Sequence, residues 1–182
     1  MLNSQVHSTA LKLPSGATVS VPTCRVDFKP WTRKDENGRL VTASLESIDT
    51  FNDKPVLDHE GEPVFAELAI LRLLAADGWD GRWVDSYRRQ FRTGLLEKPP
   101  RALPFAPDIL FRRIVTAKGS RGGCWDVFAW RGNEILFVEA KRNKKDHIRR
   151  SQKEWLEAAT KVGLSLANFL IVEWNVAVEG VV

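Results

Sequence analysis

Apolar residues concentrate in two short runs between Cys124 and Lys141, around which the rest of the pattern is organised. Two short runs rich in Val, Ile, Phe and Trp, Cys124–Arg131 and Glu134–Lys141, flank Gly132-Asn133. Such runs separated by Gly-Asn predict a two-stranded hairpin with a two-residue loop. Arg131 then pairs with Glu134, and counting back along both strands sets Asp126 opposite Glu139. Asp126 shares its face with Phe128 and Trp130, and Glu139 shares its face with Ile135 and Phe137. The other face carries Trp125, Val127, Ala129, Leu136 and Val138. Strands apolar on both faces belong to a sheet covered on both sides.

The same pattern places the other elements. Residues 18–28 alternate as a half-buried strand, with Pro22 expected to make it an edge strand or to interrupt it. Residues 1–17 are polar and turn-rich and are expected to fray. Arg39–Phe51 is strand-like but less regular. Asp58-His59-Glu60-Gly61 reads as a loop. A helix follows with Pro63 in its first turn, reaching about Ala76 and stopping at Asp77-Gly78. Trp79–Tyr87 reads as a strand with its leading turn. A short helix with Pro107 at its first position runs towards Gly119. A helix opened by Gln152, with Trp155, Leu156, Ala159 and Val162 as its apolar row, ends at Gly163. Leu166–Trp174 is a nearly continuous apolar run, expected to be a central buried strand. Residues 1–60 form a small β-rich segment packed on, or extending, a main domain over 61–182.

The hairpin poses a chemical problem. Directly opposed residues on one face have Cβ atoms about 4.5–5.5 Å apart, where like charges destabilise. Asp126 and Glu139 therefore call for a compensating cation. Lys141, two residues after Glu139, projects to the same face. A divalent cation, which takes carboxylate oxygens, is the other candidate.

Asp126 followed by Glu139-Ala140-Lys141 resembles the Asp…Glu-x-Lys signature of the PD-(D/E)xK nuclease superfamily. Gly122-Gly123 before the aspartate, and Gln152 at the head of the next helix, are most similar to the VRR-NUC branch. Trp125, rather than proline, precedes Asp126. The resemblance covers residues 62–175 as an order of elements, its specific motif only a handful of residues. It implies an α/β fold with a restriction-endonuclease-like core, a central mixed β-sheet flanked by helices. It further implies a Mg²⁺- or Mn²⁺-dependent nuclease. Asp126, Glu139 and the Ala140 carbonyl would hold the ion, and Glu67 on the first helix would contribute directly or through water. Lys141 would orient the attacking water and stabilise the transition state, with Gln152 positioning Lys141 or the water. DNA is the expected substrate, with RNA left open. A homodimer would suit double-strand cleavage. A non-catalytic nucleic-acid-binding or scaffolding protein that keeps the fold is the alternative.

Composition changes this picture little. Hydrophobic residues make up 43% of 182 residues, enough for a core, and the net charge is +4 with a pI of about 9.2, which permits an anionic partner. The two cysteines, Cys24 and Cys124, read as reduced core thiols. The three histidines show no ligand spacing. The N-terminus has no long apolar run, so a cytoplasmic protein without a membrane span is expected.

Charge patterning leaves several alternatives open. Glu67 lies on or beside the apolar stripe of its helix, either partnered or turned to water. Arg142, Lys144, Lys145, Arg149 and Arg150, with Arg121 in the loop before the hairpin, either grip phosphate or form a solvated face. Tyr87, Arg88, Arg89, Phe91 and Arg92 interleave rings with cations, as a nucleic-acid contact or an anchored loop does. Pro107-Asp108 is a literal Pro-Asp and a rival for the metal-binding aspartate. Its helix N-terminus favours a dipole-capping role instead, because only Asp126 has the hairpin geometry.

Overall fold

The computed structural model describes residues 6–42 and 55–177. In chain order the elements are β1 (His7–Lys12), β2 (Thr18–Phe28), β3 (Thr32–Lys34), β4 (Leu40–Thr42), β5 (Leu57–His59), β6 (Glu62–Val64), α1 (Ala66–Ala76), β7 (Asp80–Asp85), β8 (Gln90–Arg92), α2 (Phe105–Lys118), β9 (Val127–Arg131), β10 (Glu134–Arg142), α3 (Arg150–Lys161) and β11 (Phe169–Val176). Seven strands build a mixed sheet in the order β1-β2-β11-β10-β9-β7-β8. β2, β11 and β10 run parallel, and the outer pairings are antiparallel.

Side-chain alternation gives this sheet two apolar faces. Val127, Ala129, Val138, Ala140 and Val172 face α1, where they meet Leu68, Leu71 and Leu74. Gly81 on β7 lets α1 come close, since a Cβ there would lie 2.9 Å from Leu71 Cδ1. Phe128, Trp130, Phe137, Phe169 and Ile171 face α2 and α3, against Phe111, Ile114, Trp155 and Leu156. At the centre of that face Phe137 stacks on Phe128 at 4.4 Å and on Phe169 at 5.6 Å between ring centroids. The result is an α/β architecture with a central mixed sheet flanked by helices.

Several expectations are corrected. Of residues 1–17, expected to fray, 1–5 lie outside the described residues and His7–Lys12 do not fray: β1 pairs with β2 from His7↔Thr23 to Lys12↔Thr18, because Leu11 and Leu13 reach the core beneath α2 and α3. Pro22 does not interrupt β2, and β2 lies inside the sheet. β1 accompanies its first half, and β11 joins only from Thr23 to Phe28. Pro22 therefore lies where one side is unpaired, which suits a residue lacking an N–H. Residues 7–28 thus extend the main sheet.

Pro63 belongs to β6, not to a helix. Glu60 and Gly61, with φ of 55° and 83°, close a two-residue hairpin loop between His59 and Glu62, and α1 begins at Ala66. Of the strand-like Arg39–Phe51, β4 covers Leu40–Thr42, and residues 43–51 lie outside the described residues. Pro107 is the third residue of α2, whose first turn needs no N–H there. Leu166–Asn168 is a 3-10 turn, and β11 starts only at Phe169. Asp108 does sit in the first turn of α2, paired with Arg112 at 2.8 Å. Cys24 and Cys124 are buried free thiols in opposite layers; burial raises the Cys24 thiol to about 11.

Phe137→Ala removes the ring on which both neighbouring aromatics stack. The expected loss is about 3–5 kcal/mol of unfolding free energy, measured by urea denaturation. A loss below about 1 kcal/mol would mean this stack does not organise the layer.

Candidate functional site

The hairpin forms in the expected register. Arg131 pairs with Glu134 and the ladder continues to Val127↔Val138. Asp126 lies one residue beyond β9, level with Glu139. Its carbonyl accepts the Val84 N–H at 2.8 Å, which keeps the main chain against β7. Its Oδ2 accepts the Ala140 N–H at 2.9 Å. Where the β9 ladder stops, the aspartate side chain takes over the donor that the strand would have bonded.

Glu139 is fully buried. Its Oε1 meets Lys141 Nζ at 2.6 Å and accepts a short hydrogen bond from Gln152 Nε2. Its Oε2 is buried without a hydrogen-bond partner among the described residues. Burial, and then the neighbouring charge of Asp126, holds the Glu139 carboxyl well above the ordinary carboxylate value, with Lys141 opposing both. Burial pushes the Cys124 thiol up as well, reinforced by the charges of Glu139 and Asp126. Lys141 is itself largely buried, its side chain 12% exposed. It lies in register with Glu173 of β11, which bonds Arg25 of β2 at 3.0 Å, so charged residues line up across three strands beside the site.

α3 completes the arrangement from above the sheet. Gln152 Oε1 accepts the Arg149 N–H at 2.8 Å, which fixes the amide with its nitrogen towards Glu139. The Gln152 amide thus donates to Glu139, where the resemblance implied Lys141 or a water. Trp125 Nε1 donates to the Gln152 carbonyl at 3.2 Å. Gly123, at φ 79°, packs so tightly on Ser151 that a Cβ there would run into the Ser151 carbonyl and come within 2.8 Å of its Cβ. These contacts of Trp125 and Gly123 have no sequence signal beyond Gly122-Gly123 and the apolar run, because their partners lie about 27 residues onward.

The remaining candidates divide. Glu67 is half-buried in the first turn of α1, the helix that covers the opposite face of the sheet. Among the described residues no three His, Cys, Asp or Glu side chains gather closely enough to hold one ion, so Glu67 does not join Asp126 and Glu139 in such a cluster. Ala140 meets Asp126 through its amide. Arg142 leans over the Trp174 ring at 5.8 Å and its N–H donates to Asp146 at 3.1 Å. Lys144, in left-handed backbone at φ 60°, and Lys145 and Arg149 are exposed around the turn into α3. Arg150 pairs with Glu154 at 3.1 Å, and Arg121 lies over Phe111 at 5.3 Å.

The ring-and-cation stretch also splits. Phe91 packs edge-on against Phe111 at 5.0 Å. Arg92 is buried, bonded to Asp85 at 3.1 Å and to the carbonyls of Leu96 and Lys98 at 3.1 and 2.8 Å. Tyr87, Arg88 and Arg89 remain exposed. Asp108, held by Arg112 on α2, is not part of the site.

Two measurements check this geometry. Gly123→Ala forces both a left-handed alanine and a collision with Ser151, and should cost at least about 1–3 kcal/mol of stability; a neutral substitution would mean the loop and α3 are not locked. In metal-free buffer, the raised Glu139 value means the folded state holds an extra proton between the unfolded carboxylate's ordinary pKa and its own. Wild-type stability should therefore fall as pH rises through that window. Glu139→Gln removes the slope, so the variant gains on wild type from about pH 5 upward in urea denaturation, the unfolded carboxyl titrating near 4.3. A pH-independent difference would mean that Glu139 ionises normally.

Among the described residues no helix is long and apolar enough to cross a membrane. No family model matches the chain, and no curated protein or solved structure matches it.

Proposed function

We propose that the chain is a metal-dependent nuclease of the PD-(D/E)xK type, acting on DNA through Asp126, Glu139 and Lys141. The observation that carries this reading is the carboxylate pair at the end of the β9–β10 hairpin, Glu139 buried and Asp126 half-buried, with Lys141 in contact with Glu139. Mixed-sheet order and helices on both faces suit a restriction-endonuclease-like core.

A divalent ion fits these residues. Glu139 Oε2 is buried and lacks a hydrogen-bond partner among the described residues, and an oxygen-only pair is the donor chemistry that Mg²⁺ or Mn²⁺ accepts. Magnesium is commonly held by one or two carboxylates, so Asp126 and Glu139 suffice as protein ligands. When bound, such an ion lowers the pKa of water and neutralises charge on phosphate oxygens. The protein's own groups do the rest. Gln152 fixes the Glu139 carboxylate by donating to Oε1. Lys141 supplies a nearly buried fixed cation, suited to stabilising negative charge on a phosphate under attack. Lys144, Lys145 and Arg149 lie where the chain leaves β10 for α3, suited to holding the phosphate backbone beside the carboxylates.

A second reading, a non-cleaving nucleic-acid-binding or scaffolding protein, is favoured by the Lys141–Glu139 ion pair, which already compensates the buried carboxylate. Cleavage assays on supercoiled, linear, single-stranded and branched DNA with Mg²⁺ or Mn²⁺ separate the two. Wild type should cut, and Glu139→Ala and Lys141→Ala should each lose at least about 10²-fold in rate. Mn²⁺ should also raise the Tm of wild type but not of Glu139→Ala. DNA binding without cleavage or any Mn²⁺ effect would establish the second reading in its place.

A further inference from the structure

The turn between β7 and β8 sits beside the carboxylate site and is built to hold a ring in solvent. Val84 N–H donates to the Asp126 carbonyl, so β7 reaches the site and its turn, residues 86–89, begins two residues later at the same end of the sheet. At about 3.3 Å per residue, Tyr87 is at most roughly 10 Å of chain from that bond, the length of about three base steps. Tyr87 is 90% exposed, in a chain whose seven tryptophans supply many of the buried rings. The turn holds its shape from within. Buried Asp85 accepts the Arg88 N–H at 3.0 Å through Oδ1, while its Oδ2 receives Arg92 Nε at 3.1 Å and Arg88 Nη1 at 3.3 Å. Arg92 is tied in turn to Gln90 Oε1 at 2.7 Å and to two carbonyls of the following loop. Arg89 takes left-handed backbone at φ 55°. A chain reversal alone asks only for small turn-forming residues; here it presents a ring with the Arg88 guanidinium 5.6 Å from its centroid and Arg89 next along the chain.

We infer that Tyr87, Arg88 and Arg89 form a second nucleic-acid contact, in which Tyr87 stacks on an unpaired base flanking the phosphate held at Asp126 and Glu139. This rests on the nuclease reading and assigns its substrate class: a strand with at least one unstacked nucleotide beside the cleaved bond, as in a single-stranded flank or a branch. Rings stack on any base face, while adjacent cations take the phosphates on either side. The occupant is a nucleic acid because the turn offers one exposed ring beside two arginines, whereas a protein interface centres on a contiguous apolar patch.

The test uses the full chain in Ca²⁺ buffer, with a plain duplex and a duplex carrying a short single-stranded flank labelled with 2-aminopurine. Wild type should prefer the flanked substrate and change the 2-aminopurine fluorescence. Tyr87→Ala should lose about tenfold in affinity for the flanked substrate, together with the fluorescence change, and bind plain duplex as wild type does. Tyr87→Trp should retain both. Because Tyr87 is exposed, these variants leave the core intact, and circular dichroism checks that. If Tyr87→Ala binds the flanked substrate as wild type does, while Lys144→Ala combined with Lys145→Ala weakens both substrates, the base contact is refuted and the nuclease reading stands. If wild type binds neither substrate, both fall.

Discussion

Two carboxylates brought together at the end of a buried hairpin are the constraint around which this molecule is arranged. A strand pair has a side-chain period of two, so the residue one step beyond Val127 and the residue one step beyond Val138 face the same way. The face they share is the one covered by α2 and α3. Taking a charge out of water is costly unless hydrogen bonds and an opposite charge replace the solvent. Asp126 finds the Ala140 amide, and Glu139 finds Lys141 and Gln152. One Glu139 oxygen has no hydrogen-bond donor among the described residues. Like charge beside like charge, with one of the oxygens unsatisfied, costs stability that the surrounding fold has to supply.

The path of the chain explains why the compensating groups arrive there. β10 and β11 are parallel, so the chain must cross over between them, and α3 is that crossover. It has to leave from the end of β10 where Glu139 and Lys141 lie. The basic residues of 142–150 and the head of α3 are thereby delivered to the site by connectivity. Gly123 permits the close approach that lets Gln152 reach Glu139. Sites at the carboxyl ends of parallel strands are a general tendency of open α/β sheets, and here the crossover brings the candidate site's residues to that end.

The same end of the sheet receives the β7–β8 turn from the antiparallel side. Basic residues of one connection and the exposed ring and arginines of the other therefore flank the carboxylates from opposite directions along the sheet order. Arg92 and Arg88, four residues apart, serve different ends. One is consumed by Asp85 and two carbonyls inside the fold, while the other keeps 41% of its side chain in solvent. Charge counting along the chain cannot make that distinction, because burial is settled by what packs above.

Short-range information was sufficient for the hairpin. Gly132-Asn133 set the loop, the loop set the register, and the register set Asp126 level with Glu139 and Lys141 on the Glu139 face. α3 and most of α1 were legible for the same reason, their apolar periods being local. What needed the tertiary structure involved partners distant in sequence. β1 and Pro22 make sense only once β11 is seen to accompany half of β2. Pro63 reads as a helix start until Glu60 and Gly61 both turn left-handed and pair Leu57 with Val64. Gln152 was singled out by the resemblance, which carries a glutamine after the Glu-x-Lys run, but its bond to Glu139 depends on the crossover and on the Gly123 contact. A local pattern fixes which way a side chain points from its own element; which group it meets there depends on how the elements pack, and that is decided by burial across the whole sheet.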